Sequence, residues 1–176
     1  MSAWTVIQHQ ELGGTQASIT FSSIPATYTD LCLKFSVRGN RSANVDNIQL
    51  NINGQGVNTN LTTRFLYGDG SSPASATQVE VAGGIVGAAS TTASTFGNGE
   101  IYIPNYAGST NKSISVDVVM ENNATYSLQL IGATLWSQTA AISSIALDPQ
   151  FNDFVQYSSA TLYGITKGSS GGVVVS

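Results

Sequence analysis

Charge is scarce in this sequence: Asp, Glu, Lys and Arg make up 9% of its 176 residues, against about 25% in an average soluble domain. The six basic residues are scattered, at Lys34, Arg38, Arg41, Arg64, Lys112 and Lys167. No basic stripe is offered to phosphates, so a nucleic-acid partner is not expected. Arg38 and Arg41 form the one local cluster and read as a strand end running into a loop. Cysteine is limited to Cys32, which excludes an internal disulfide and the disulfide-built secreted scaffold. Histidine occurs once, at His9, with no second histidine or neighbouring cysteine to build a metal site. No run of about 18 apolar residues is present, and no basic stretch leads into an apolar one at the start. The chain is therefore expected to be made in a cytoplasm, to stay soluble and to have no membrane partner.

Catalytic signals are equally sparse. The ten acidic residues fall mostly at strand ends or on polar faces, and acid–base catalysis would need two of them to converge in a cleft. Asp69 between glycines, and Asp148 with Asp153, lack the dense oxygen spacing of a calcium loop. The glycine pairs have no Lys-Ser/Thr sequel and no following helix, so they read as turns and not as phosphate cradles. No catalytic residue, cofactor or metal is assigned, and the chain is expected not to be an enzyme.

What the sequence does have is period-two alternation, which places apolar side chains on one face of a pleated strand. Leu31, Leu33, Phe35 and Val37 share a face, as do Ile48, Leu50 and Ile52, and Ile114, Val116, Val118 and Met120. Near the end, Val155, Tyr157, Thr161, Tyr163 and Ile165 form a further alternating set. Additional strands are expected near Trp4–His9, Ala17–Ser22, Leu61–Tyr67, Gly99–Ile103, Tyr126–Ser137 and Ile142–Leu147, about ten in all. No segment sustains a 3.6-residue period, and the Thr, Val, Ile and aromatic content favours strand.

Ten short strands, each polar on one face, point to an all-β, single-domain antiparallel β-sandwich of the jelly-roll type over residues 1–166. Turns are expected at Gly13-Gly14, Asn53-Gly54, Gly68-Asp69-Gly70, Asn98-Gly99 and Asp148-Pro149. Gly68–Thr77 and Gly83–Gly99 are either long surface loops or poorly packed strands. Residues 167–176 form a Gly/Ser-rich tail ending in Val173, Val174 and Val175. It is either disordered or an arm that adds a strand to a neighbouring subunit.

Three segments carry a resemblance. They are the run from Phe21 through Ile24-Pro25 and Tyr28 to Leu31, the segment Ile101-Tyr102-Ile103-Pro104-Asn105-Tyr106, and the closing Ser159-Ala160-Thr161-Leu162-Tyr163-Gly164-Ile165. In order and spacing, residues 4 to 166 resemble small structural proteins of tailed bacteriophages. The resemblance implies capsid decoration, a head fibre or a tail-associated jelly roll on the virion surface. The partners it implies are further copies of the chain, often as a homotrimer, and a major capsid or tail protein. It carries over no active-site residues. The long fibrous segment of many fibre proteins is missing, which favours a compact decorating or adaptor subunit.

Trp4, Tyr106, Tyr157 and Val173–Val175 are the candidate protein contacts. The alternative is a carbohydrate-binding, lectin-like or host-adhesion module, since jelly rolls also host lectins. Its glycan platform would be Tyr67, Tyr102, Tyr106 and Trp136, whose rings could stack on sugars.

Overall fold

The computed structural model describes residues 3–123 and 126–167. Alternation along the chain is realised there as strands β1 (Trp4–Glu11), β2 (Ile19–Phe21), β3 (Asp30–Val37), β4 (Val45–Ile52), β5 (Leu61–Gly68) and β6 (Pro73–Thr77). A single 3₁₀ turn, Val79–Val81, leads to β7 (Gly84–Gly87), β8 (Gly97–Ile103), β9 (Lys112–Glu121), β10 (Ser127–Trp136), β11 (Ile145–Pro149) and β12 (Ser159–Ile165). An eight-stranded sheet runs β1-β12-β3-β8-β9-β10-β5-β6, and a four-stranded sheet runs β2-β11-β4-β7. Every pairing is antiparallel. The two sheets pack as a β-sandwich.

On β3, β4 and β9 the core is the set of inward side chains that the alternation marked; on β12 the marked Thr161, Tyr163 and Ile165 face out, and Ala160 and Leu162 face in. Leu31, Leu33, Phe35 and Val37 of β3 and Ile114, Val116, Val118 and Met120 of β9 meet Ile48, Leu50 and Ile52 of β4, all buried. Ile19, Phe21, Ile145 and Leu147 complete the smaller sheet's contribution. Each such side chain contributes roughly 1.5–3 kcal/mol through the apolar area it removes from water.

Two glycines let the backbone come close. Gly99 pairs with Phe35, and a Cβ there would stand 2.1 Å from Phe35 Cζ, so the ring lies over the bare glycine. Gly84 has φ +108 and would place a Cβ 2.3 Å from Val118 Cγ2. That contact brings the edge strand β7 down onto β9.

Three further expectations are corrected. Tyr157 does not continue the face of β12: it sits in a loop at φ +69 and is 65% exposed, while Phe154 turns inward and bridges Gln16 and Gly39. Asp148-Pro149 is no turn, because both residues are laddered to Gln49 and Ile48 as the last pairs of β11. Asn98-Gly99 is no turn either, because both residues lie in β8 and pair with Ser36 and Phe35. Of the two readings of the glycine-rich stretches, the strand reading holds in part, since they contain β6 and β7. The tail from residue 168 onward, including Val173–Val175, lies outside the described residues.

Where β1 meets the edge of the smaller sheet, side chains join the layers. Gln8 Nε2 donates to the Ser22 carbonyl at 2.9 Å and Gln10 Nε2 to that of Thr20. Edge carbonyls of β2 are thereby satisfied without a further strand.

Candidate functional site

The outer face of β9, β10, β5 and β6 departs from the polar-out rule of a sandwich. Leu66 and Ile131 are direct cross-strand partners on β5 and β10, and both point to solvent, 63% and 57% exposed. Val119 and Leu135 extend the exposed apolar surface along β9 and β10. Ala133 lies between Ile131 and Leu135 on the same face of β10, since the strand's period is two.

Strand β10 explains how this arises. Its inward face carries Leu128, Leu130, Gly132, Thr134 and Trp136, and its outward face carries Gln129, Ile131, Ala133 and Leu135. Gly132 is inward because a Cβ there would lie 3.3 Å from Val116 Cβ. Thr134 is inward because its hydroxyl meets that of Thr63 at 2.9 Å, which satisfies both buried groups. In the middle of the strand Gly132 and Thr134 thus take inward positions while Ile131 and Leu135 face water.

Beside Leu66 and Ile131 the face is hollowed into an open depression of about 530 Å³, lined also by Arg64, Ser75, Thr77 and Ala133. Its outer wall is β6, every residue of which is exposed. Strand β6 ends the sheet, and among the described residues its side away from β5 makes no ladder. An unpaired edge beside an apolar face is a natural template for another chain.

Two of the aromatic residues expected at contacts or in the glycan platform lie elsewhere. Tyr106 is fully buried, its hydroxyl donating to the Pro25 carbonyl, so it anchors a loop and cannot meet a partner. Trp136 is fully buried against the core, with Lys112 Nζ 5.5 Å from its ring centroid. Tyr67 packs on the inner side at 5.8 Å from Phe65, whereas Tyr102 points outward from β8 and donates to Asp30 Oδ2 at 2.7 Å. The four rings do not assemble into one platform. Trp4 is exposed and meets Tyr163 edge-on at 5.8 Å, and Tyr157 is exposed on its loop, so these two candidates stand at the surface, apart from the Leu66–Ile131 face.

Arg38 and Asp69 are held by hydrogen bonds within the fold. Arg38 is buried, and its guanidinium donates to the carbonyls of Thr92 at 2.7 Å, Thr95 at 2.9 Å and Thr91 at 3.1 Å, folding the loop after β7 around itself. Asp69 accepts from Ser71 N, Ser72 N and the Ser71 hydroxyl, and these bonds hold its carboxyl down at about 2. Burial pushes Asp46 up to about 6 and raises Asp148 as well. His9 bonds the Thr161 hydroxyl at 2.7 Å. Among the described residues no three of His, Cys, Asp or Glu come together as a metal site.

Sequence reasoning passed over Leu66 and Ile131. The available signal was adjacency: Phe65-Leu66 and Leu130-Ile131 are consecutive apolar pairs, and in a pleated strand one of each pair must face out. Comparison with known family models, curated proteins and solved structures finds no match to this chain.

Proposed function

We propose that this chain is a non-enzymatic structural protein of a bacteriophage virion, a jelly-roll subunit on the head or tail surface. It acts through contacts with its own copies and with a capsid or tail protein. The observation that carries this reading is the outward apolar face around Leu66 and Ile131, bordered by the unpaired strand β6. A face of this kind loses exposed apolar area only when another macromolecule covers it.

The strand order supports the jelly-roll reading. From β2 onward the chain passes back and forth between the layers, giving β2-β11-β4-β7 in one and β3-β8-β5-β6 in the other once the hairpin β9–β10 is set aside. That is two four-stranded sheets of interleaved Greek keys. The hairpin is inserted between β8 and β5, and β1 and β12 are added beside β3. Since β9, β10 and β5 carry the apolar face, the inserted hairpin supplies much of the contact surface. The segmental resemblance to small phage structural proteins points the same way, and a subunit of this kind stabilises an assembled shell by mass action and avidity, with no catalysis.

The test is sedimentation of phage particles produced in the presence of the tagged chain, with light scattering of the purified chain. Co-sedimentation at fixed stoichiometry is expected. A strict monomer that never co-sediments would overturn the reading.

A further inference from the structure

We propose that the outer face of β9, β10 and β5 docks on the same face of a second copy, about a two-fold axis passing between Ile131 and Ala133. The inference rests on the reading of the chain as a self-associating subunit and adds the surface and its symmetry.

The argument starts from two charges. Asp117 on β9 has Ile131 as its partner on one side and Glu100 on the other, a like charge directly across. Glu100 is already paired with Lys34 at 2.9 Å. Arg64 on β5 faces Ala133 and Thr77. Among the described residues neither Arg64 nor Asp117 forms an ion pair, and both are exposed. A carboxylate beside another carboxylate is stabilised by a cation brought from outside.

The lattice of the sheet fixes where that cation comes from. Arg64 pairs with Ala133 and Asp117 with Ile131, so the midpoint between the two charges falls on β10 between Ile131 and Ala133. A two-fold axis in the interface through that point, perpendicular to the line joining the charges, exchanges them. Each copy's Arg64 then stands over the other copy's Asp117, twice. Leu66, Ile131 and Ala133 lie between, as an apolar centre flanked by the ion pairs. A self-complementary patch of this kind is what an isologous dimer requires.

The area is sufficient. The exposed parts of Leu66, Ile131, Val119 and Leu135 amount to roughly 350 Å² of apolar surface, within the range that marks functional patches on monomers. Strands β9, β10, β5 and β6 hold 10, 10, 8 and 5 residues, which at about 4.8 Å by 3.3 Å each give a footprint on the order of 500 Å² per copy. Two copies together bury on the order of 1,000 Å², about the total that a biological interface needs, which suits a weak, concentration-dependent dimer.

The experiment is light scattering during size exclusion over a roughly hundredfold range of concentration, with single variants at exposed positions. The wild type is expected as a dimer or an even multiple of it. Ile131→Asp raises the dissociation constant at least about a hundredfold. Arg64→Asp and Asp117→Arg each raise it at least about tenfold, because each homodimer then carries two like-charge contacts. An equimolar mixture of those two variants restores association, since the mixed dimer regains both pairs. Unchanged thermal unfolding of each monomer shows that the fold is intact.

A monomeric wild type, or an oligomer indifferent to all three substitutions, overturns the proposal. If the monomer nonetheless co-sediments with particles, the virion reading stands and the two-fold contact falls. If the dimer forms with its charge-swap rescue but never joins particles, the contact stands and the virion reading falls.

Discussion

Lys112 Nζ stands 5.5 Å from the centroid of the Trp136 ring, and both side chains are buried. The ammonium also donates to the carbonyls of Gly108 at 2.7 Å and Ala140 at 2.6 Å, tying the loop before β9 to the loop after β10. Lys112→Met keeps the stem and removes the donor, leaving buried carbonyls without a partner. Stability is expected to fall by about 3 kcal/mol, read from urea unfolding by circular dichroism. An unchanged midpoint would mean that water replaces the ammonium at no cost.

Gly99→Ala forces a methyl into the Phe35 ring, which has its own neighbours and cannot retreat freely. A loss of about 2–3 kcal/mol is expected. In a Phe35→Leu background the same change should cost markedly less, since the two residues are in contact. Equal losses in both backgrounds would show that the ring is not what excludes the methyl.

Stability should rise as the solution is made mildly acid. Burial lifts Asp46 to about 6 from an ordinary 3.8, so the folded chain holds a proton that the unfolded chain releases. The contribution is full below about 4 and lost as pH rises through about 6. It is on the order of 3 kcal/mol at most. Asp148, raised for the same reason, acts in the same direction. Asp69 acts oppositely and only in stronger acid, its stabilisation lost as pH falls through about 2. Urea midpoints measured from pH 7 to 4.5 test this, and Asp46→Asn should flatten the slope. A wild-type midpoint that falls across that range would contradict the assignment.

Cys32 should be silent to thiol reagents until the chain unfolds. It is fully buried and lies between Tyr163 and Tyr102 in the register, and burial first, then the nearby Glu100 carboxylate, pushes its thiol up to about 12. A reagent that needs the thiolate is expected to react in step with unfolding. Rapid labelling in native buffer would show that this part of the sheet opens locally.

Strands β3, β4 and β9 were legible because strict alternation leaves one arrangement that buries Leu33, Leu50 or Val116. Strand β6 was not: Pro73, Ala74, Ser75, Ala76 and Thr77 are all exposed, so burial imposes no period on them. Strand β7 was hidden by Gly84 and Gly87, which are chosen for close approach and carry no hydrophobic mark. Tyr157 fits the alternation of β12 by spacing alone, yet the chain turns at its positive φ before the ladder begins. Tyr106, a candidate for both the contacts and the glycan platform, and Trp136, a candidate for the platform, are buried for a general reason. Large rings serve cores and interfaces equally, and sequence alone does not sort one from the other.

The bonds from Gln8 and Gln10 to β2 cross the gap between the layers side by side. A load that shears one layer over the other strains both together, whereas a pull on the start of β1 opens its ladder to β12 one rung at a time. The domain is therefore stiff against sliding of its layers and yields first by peeling from Trp4. Under the proposed virion role, that bias suits a subunit pressed from outside and held by its face.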